Sequence, residues 1–569
     1  MDLGASTKAQ KANGGALEHV AAFALRVLER LGRASSRVSV LAEVVRVKVA
    51  PVGVLADNVD PDRDAVDDWR FLRRPALLGF VALTCIGVGV SFPSSPFKLE
   101  MPGTWFFGVP ATQGATSTSY LLFGLVAVYG GLVLLMRVWY GMTKALTRRP
   151  GTPIKHLWWI FALWTIPMLV IAPIFSRDVF SYAAQGEMVS HHINPYNYGP
   201  AALGAGPYVN PVDSLWANSP APYGPLFLII DGFFASASLH HVLVTVILLR
   251  LLSVGGVVAI AWCIPKLARA YGREPGPVFV LAVLNPLVLL TLIGAAHNDA
   301  IMLGLLVCGI TAAKLKHPVA GVVLCALAAG IKVPAALGIV YIGWDWLGTG
   351  VPWRQRVRPV VTAGLIALAV LAALSVLSGL GWGWVANLET PGTVRSWLAP
   401  TTALGLGLSG VLHSLGVGLS TTSVLSGCRL LGFAGAAGYG IYLLKASDRL
   451  GWLKALSFTL LAFVLLGPVV QPWYLTWGLV MLAPIAVGRT RTLIVGVSVL
   501  SPFIGLPGGR TLLDQLIHAD PLSVAFSFVV LLGVLLVPIG RWSTSWRWEA
   551  SPDDLWGDDD DFELESARA

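Results

Sequence analysis

Residues 242–264 read VLVTVILLRLLSVGGVVAIAWCI, an apolar run with a single charge, Arg250. A membrane-spanning helix needs about 20 such residues, so this stretch predicts a transmembrane helix. Similar runs recur from Pro75 to Gly540, and the chain is 55% hydrophobic and 12% charged, with a mean hydropathy of +0.71. That composition excludes a soluble domain with a lipid anchor, a secreted disulfide scaffold and a disordered chain. It predicts an all-α, polytopic transmembrane helical bundle of about 13–14 spans.

The apolar segments differ in length. They lie at roughly 75–92, 119–140, 156–175, 242–264, 277–296, 298–314, 318–331, 333–347, 359–379, 424–445, 452–469, 472–488, 490–506 and 521–540. Two of them, 298–314 and 318–331, are shorter than a straight span requires. We therefore expect half-helices that break within the membrane.

The Lys and Arg residues cluster in alternate loops, and basic loops remain in the cytoplasm. This pattern predicts a multi-pass protein of the plasma membrane with both termini in the cytoplasm, provided that residues 226–241 form a re-entrant or surface helix outside. Two long loops, 176–241 and 381–423, then lie on the outer face, where polar chemistry can be built. The net charge of +9 reflects this orientation, so no nucleic-acid partner is expected.

The chain divides into three predicted parts. Residues 1–74 form an N-terminal extension with an amphipathic cytoplasmic helix, which either lies on the membrane or is an ordinary soluble helix or partner-binding arm. Residues 75–540 form the transmembrane domain with its external loops, and residues 541–569 form an acidic cytoplasmic tail. The five cysteines lie in hydrophobic segments without CxxC spacing, which predicts neither a disulfide nor a zinc site.

A charged pair follows the third apolar segment, in the sequence SRDVFSY at 176–182. Arg177 and Asp178 lie at the predicted outer mouth of a span, so Asp178 is a candidate catalytic acid or base. Alternatively, the two residues pair with each other or cap the next helix. The stretch that follows, 191–225, is rich in Pro, Tyr and Asn. Aromatic faces with amide donors suit a sugar, although an ordinary ordered loop also explains them.

Polar residues also interrupt the later apolar segments. His297, Asn298 and Asp299 form a triplet near the predicted outer face, where they either cap a helix or orient a hydroxyl or the catalytic carboxylate. Lys332 lies between two short apolar segments, beside a proline, and needs an anionic partner. It either forms a structural pair or binds the phosphate of a lipid substrate. For Arg250 we favour a structural pair.

A double-proline aromatic turn, GPVVQPWYLTW, occupies 467–477. Gln471, Trp473 and Tyr474 are candidates for a lipid or sugar wall, while interface anchoring alone explains the aromatic residues. The sequence contains no nucleotide-binding or HExxH motif. Its histidine pairs, 191–192 and 240–241, are adjacent in sequence and indicate a metal only weakly. We therefore predict neither a metal site nor a cofactor.

Taken together, SRDVFSYAAQG at 176–186, Asn285-Pro286 leading to AHND at 296–299, and QPWY at 471–474 resemble a known family. The chain is similar, from about 75 to 540, to the actinobacterial polyprenol-phosphomannose-dependent alpha-1,6-mannosyltransferases of the GT-C superfamily. The resemblance implies a GT-C-like membrane bundle that moves mannose from polyprenyl phosphomannose to an alpha-1,6-mannan acceptor. The product belongs to lipomannan and lipoarabinomannan assembly.

The resemblance also implies roles for particular residues. An acid in the first large external loop acts as general base in GT-C enzymes, and Asp178 matches it, although here it follows the third predicted span and not the first. We expect Lys332 and Arg177 to hold the donor phosphate. The sugar or acceptor would contact Tyr182, His297, Asn298, Asp299, Gln471, Trp473 and Tyr474. The alternatives are a flippase or transporter for a lipid-linked sugar, and a GT-C transferase that uses a different sugar.

Overall fold

Helices build the structure throughout residues 70–91, 118–394 and 398–503, the parts of the chain that this computed structural model describes, and no strand occurs in them. The predicted N-terminal helix, the loop from Pro93, the last predicted span and the acidic tail lie outside the described residues. The longer helices are α1 (Arg70–Ser91), α2 (Thr118–Thr147), α3 (Ile154–Val170), α4 (Asp178–Ser190), α5 (Pro225–Ala237), α6 (Val242–Ala270), α7 (Pro275–Ala282), α8 (Asp299–Lys314), α9 (Pro318–Ala329), α10 (Ala336–Asp345), α11 (Trp353–Leu377), α12 (Pro400–Ser414), α13 (Thr421–Lys445), α14 (Trp452–Leu465), α15 (Pro472–Leu482) and α16 (Gly488–Leu500).

The prediction of an all-α, polytopic membrane bundle is confirmed. Among the described residues, five helices are long and apolar enough to cross a membrane: Arg70–Ser91, Phe123–Thr147, Val242–Ala270, Trp353–Leu377 and Thr421–Lys445. A π-helical segment, Val288–Gly294, and α8 qualify as a pair but meet at an angle of 116°, as a broken span or a re-entrant loop. Several other apolar helices have 10–17 residues, among them α3, α5, α9 and α14. The segments 298–314 and 318–331 are indeed short helices.

Prolines determine where many of the short helices begin. Pro225, Pro275, Pro318, Pro400 and Pro472 each occupy the first turn of a helix. A proline fits that position because its ring fixes a helical φ angle and the missing N–H would have no partner within the helix. At each of these five prolines the chain enters a new helix directly after an irregular segment. Such irregular segments recur within the apolar part of the sequence.

Small residues bring the central helices close together. On α6, the backbone at Gly256 approaches the carbonyl of Ala300 on α8 so closely that a Cβ at position 256 would overlap it. The reciprocal glycine is Gly304, where a Cβ would lie 2.6 Å from the Gly256 carbonyl oxygen. Close backbone contact through glycine is typical of helix pairs in membranes. This contact fixes the position of α8, whose first residue is Asp299.

The predicted external loop 381–423 contains more regular structure than its sequence suggested. Residues Pro400–Ser414 form α12, a helix of 15 residues that packs on α13. Leu404 and Val411 of this helix are exposed. The glycine-rich sequence TTALGLGLSGVL lacks a strong helical signal, since glycine is a poor helix former. Packing against α13 supplies the stability that local propensity does not.

We predict that Gly256→Val destabilises the protein by about 1–3 kcal/mol, because the added side chain must separate two packed helices. Thermal unfolding of the detergent-purified protein measures the effect. Gly255→Val is the matched control, since a Cβ at that neighbouring residue meets nothing within 4 Å. Equal melting temperatures for the two variants would contradict the packing described here.

Candidate active site

A buried arginine joins the two irregular segments that carry the candidate residues. Arg250, in α6, is 1% exposed and donates to the carbonyl of Ile171, just after α3, and to that of Gly294 at 2.9 Å. Both carbonyls belong to helix ends, where backbone acceptors lack partners within the helix. The guanidinium satisfies them and holds the chain before Asp178 beside the chain before His297. The sequence predicted a structural pair for Arg250, and the bonds described here for its guanidinium are to backbone carbonyls.

Asp178 is the first residue of α4, the helix within the segment that connects α3 to α5. Its backbone N–H donates to Ser176 Oγ at 3.2 Å, and its side chain is 19% exposed. One carboxylate oxygen, Oδ2, lies 3.7 Å from His297 Nδ1. Burial raises the pKa of Asp178 to about 6, and the nearby ammonium of Lys332 opposes the rise. A carboxylate with this pKa can accept a proton near neutral pH.

The side chain of His297 is packed in place beside Asp178. Its ring is fully buried and stacks on Trp473 with centroids 3.9 Å apart, while the Tyr182 hydroxyl lies 3.5 Å from Nδ1. Neither His297 Nε2 nor the side-chain amide of Asn298 has a hydrogen-bond partner among the described residues. Buried polar atoms without partners are unfavourable. These atoms are therefore suited to bind a polar ligand.

A largely buried ion pair, between Lys332 and Asp299, lies beside these residues. Lys332 Nζ donates to both carboxylate oxygens of Asp299, at 3.0 and 2.8 Å, and Trp477 Nε1 donates to Asp299 Oδ1 at 2.6 Å. Aromatic rings surround the ammonium, with the centroids of Tyr474 at 4.5 Å and Tyr223 at 6.0 Å. Such rings attract a cation through their electron-rich faces. The pair combines charge, hydrogen bonds and π contacts in one place.

The loop before α5 makes direct backbone contact with the two residues that precede Lys332. Gly224 N–H donates to the Ile331 carbonyl at 3.0 Å, and Leu226 N–H donates to the Gly330 carbonyl at 3.0 Å. A Cβ at Gly224 would overlap the Gly330 carbonyl, so only glycine permits this approach. Tyr223, at the start of this contact, packs edge to face on Tyr182 with centroids 5.2 Å apart. The loop between α4 and α5 is thereby joined to the segment that carries Lys332.

The structure brings most of the predicted site residues into one cluster. These are Asp178, Tyr182, His297, Asn298, Asp299, Lys332, Trp473 and Tyr474. They come from α4, from the break between Val288–Gly294 and α8, from the segment after α9, and from α15. Residues more than 290 positions apart in sequence thus share one site, as Asp178 and Trp473 do through His297.

Two predicted residues have other contacts. Arg177 Nε donates to the Pro211 carbonyl at 3.0 Å, within the segment that connects α3 to α5. Gln471 is the residue before α15, and its carbonyl accepts from Tyr474 N–H at 3.0 Å. Neither contact places these side chains at the Asp299–Lys332 pair. Their assignments to phosphate and sugar binding remain predictions.

Sequence reasoning missed two tryptophans of the site. Trp477 donates to Asp299, and a hydrogen bond from Trp216 partly offsets the raised pKa of Asp178. Trp477 lies four residues after Trp473, on the same side of a helix, so helical spacing was a usable signal. Trp216 lies in a four-residue helix of the loop, Ser214–Ala217, and its sequence context carries no such pattern.

Comparison with known proteins now identifies the family. Residues 76–348 match the model of the alpha-(1->6)-mannopyranosyltransferase N-terminal domain, and residues 401–537 match that of the MptB C-terminal domain. The chain is 33% identical over 516 residues to the "Probable alpha-(1->6)-mannopyranosyltransferase" of Mycolicibacterium smegmatis, covering 83% of this chain and 90% of the relative. The chain belongs to the alpha-(1->6)-mannopyranosyltransferase family. The resemblance inferred from the sequence motifs is thereby confirmed.

Other family members give the same result. The chain is 30% identical to alpha-(1->6)-mannopyranosyltransferase B of Corynebacterium glutamicum, with 91% of this chain and 92% of the relative covered. It is 29% identical to alpha-(1->6)-mannopyranosyltransferase A of Mycobacterium tuberculosis, with 76% and 83% covered. No solved structure matches the chain.

We predict that Trp477→Phe lowers the stability of the protein by about 1.5–3 kcal/mol, because Asp299 loses a donor to a buried charge. The loss is measured as a lower melting temperature in detergent. Trp159→Phe, at a residue that is 75% exposed, is the matched control and should have little effect. A melting temperature for Trp477→Phe as high as that of the control would show that the indole donor contributes nothing.

Proposed function

We propose that this protein is a GT-C-type transferase that moves mannose from polyprenyl phosphomannose to an alpha-1,6-mannan acceptor. The product would serve lipomannan and lipoarabinomannan assembly on the outer face of the plasma membrane. One observation carries the proposal: a carboxylate with a raised pKa, Asp178, lies in the same aromatic cluster as a mostly buried lysine, Lys332. Family membership supports the sugar and the linkage.

In the proposed reaction, Asp178 acts as the general base. The acceptor 6-hydroxyl oxygen attacks the anomeric carbon of the donor while its proton passes to the Asp178 carboxylate. The bond between the anomeric carbon and the phosphate oxygen breaks, and polyprenyl phosphate leaves with the electron pair. Attack from the face opposite the phosphate inverts a beta-linked donor to an alpha product. The leaving group is already an anion of low basicity, so no general acid is needed.

Lys332 is the proposed partner of the donor phosphate. Its ammonium carries three N–H donors, and two of them bind Asp299. The third is available to a phosphoryl oxygen, whose developing negative charge it stabilises. Arg177 would assist after giving up its contact with Pro211. In this scheme Asp299 and Trp477 orient the ammonium.

The remaining candidates would position the two sugars. The stacked rings of His297 and Trp473 form an apolar wall beside Asp178, and Tyr182 and Tyr474 provide further aromatic faces with hydroxyl groups. Such walls suit the CH face of a hexose. His297 Nε2 and the Asn298 amide supply polar atoms for its hydroxyl groups. Asp299 stays paired with Lys332, and Gln471, the residue before α15, is the remaining candidate for contact with a sugar.

We predict that Asp178→Asn folds normally but loses about 10²–10⁴-fold in turnover, since a positioned base contributes that much. The assay uses purified protein, a synthetic alpha-1,6-mannoside acceptor and radiolabelled polyprenyl phosphomannose, with label in the elongated mannoside as the readout. Asp213→Asn, assayed well above pH 6, is the matched control, because it removes a charge from the same loop and asparagine retains its capping bond to Leu215. The Asp213 charge contributes to the raised pKa of Asp178, but at that pH Asp178 is ionised in both proteins. Near-normal turnover in Asp178→Asn would remove Asp178 from this role. Labelled lipid that crosses a vesicle without elongation of the mannoside would favour a flippase.

The pH dependence offers a second test of the base. Because Asp178 must be ionised to accept a proton, kcat/KM should rise with pH through about 6 and level off above it. Below that pH the neutral acid predominates and transfer falls about tenfold per pH unit. A rate profile without this acidic limb, or one whose limb persists in the residual activity of Asp178→Asn, would contradict the assignment.

A further inference from the structure

A second cluster of ionisable side chains lies at the other end of α4. Glu187 is buried, whereas His191, one helical turn later, and His240, in the connection between α5 and α6, are each about half exposed. His191 Nε2 lies 3.0 Å from Glu187 Oε1, and His240 Nδ1 lies 3.0 Å from Glu187 Oε2. The two imidazole rings face each other with centroids 5.3 Å apart.

This arrangement matches the ligand set of a zinc ion. Two imidazole nitrogens and one carboxylate are common zinc ligands, with bonds of about 2.0–2.2 Å and tetrahedral geometry. Ligand atoms at the corners of such a tetrahedron lie about 3.3 Å apart. In the cluster, one atom from each residue lies within 4.8 Å of the others. Closing to zinc distances therefore needs only small side-chain movements. Two exposed rings leave the fourth position open to water.

The surroundings of the cluster support the same assignment. The Tyr208 hydroxyl interacts with Glu187 and also lies 2.8 Å from the Thr245 hydroxyl, which contacts Ser238 Oγ at 2.7 Å. Hydrogen bonds of this kind orient the ligands of metal sites from outside.

We propose that Glu187, His191 and His240 bind a divalent transition metal, with Zn²⁺ as its ordinary occupant and water as the fourth ligand. The ion would fasten the C-terminal end of α4 to the connection between α5 and α6. Asp178 lies at the N-terminal end of the same helix, so the metal would fix the helix that carries the proposed base without contacting the substrate. The proposal is independent of the transfer reaction.

The test measures metal binding and stability, and does not depend on activity. Full-length protein, purified with a tag that contains no histidine, is treated with a chelator, dialysed, and titrated with zinc chloride. We expect uptake of about one Zn²⁺ per chain and a higher melting temperature with the metal than with the chelator, because a ligand that binds only the folded state stabilises it. His191→Ala and His240→Ala should each weaken zinc binding at least about tenfold and abolish the shift.

The chain supplies matched controls in the neighbouring histidines. His192 and His241 are exposed and adjacent to the two ligands, but they lie outside the cluster. His192→Ala and His241→Ala should retain both the zinc stoichiometry and the shift in melting temperature. The proposal is overturned if the chelated wild-type protein takes up no stoichiometric zinc, or if the control variants lose zinc as the ligand variants do. Because His191 and His240 are half exposed, their removal leaves the core packed, and the elution volume on size exclusion verifies this.

Discussion

The bond from Arg250 to two interrupted helix ends is the constraint on which the site depends. Helices α3 and Val288–Gly294 both stop inside an apolar bundle, where their last carbonyls have no water to bind. The guanidinium of Arg250 donates hydrogen bonds to carbonyls at both helix ends, because its planar group carries N–H donors that point in several fixed directions. The two chains that leave these ends carry Asp178 and His297. Their separation is therefore set by this side chain together with a direct backbone bond, from the Ile174 N–H to the Gly294 carbonyl at 3.2 Å.

Charge in the site is distributed so that its two carboxylates behave differently. Asp299 receives two hydrogen bonds from Lys332 and one from Trp477. Asp178 has no such close donors from a charged side chain, and burial raises its pKa to about 6. The two carboxylates of the cluster therefore have different surroundings. The lysine acts on both, directly on Asp299 and through space on Asp178.

The sequence predicted the helical membrane fold well, because apolar length and proline position are local properties. It also singled out Asp178, His297, Asp299 and Lys332, since charged or polar residues within apolar runs are conspicuous, and the structure brings these four together. It did not show that Lys332 pairs with Asp299, which lies 33 positions away. That partnership depends on the break after Val288–Gly294, and the angle of a break is a tertiary property.

The histidine cluster illustrates the same limit. The histidine pairs at 191–192 and 240–241 are adjacent in sequence and indicate a metal only weakly, whereas Glu187 and His191 are four positions apart and lie on one helix face. The third ligand comes from the far end of α5, and no sequence pattern links it to them. Packing between α4 and α5 unites the three residues. Sequence spacing reveals ligands on one element, whereas a site shared by two elements requires the fold.

The glycine contact between residues 224 and 330 limits how the cluster around Lys332 could be altered. Two main chains touch there without any intervening side chain, so neither can be rerouted without displacing the other together with its aromatic and cationic neighbours. Adapting this cluster to a bulkier or smaller ligand would therefore have to proceed by exchanging lining side chains on an unchanged main-chain framework. Engineering of ligand choice is better directed at those rings than at the length of the loop.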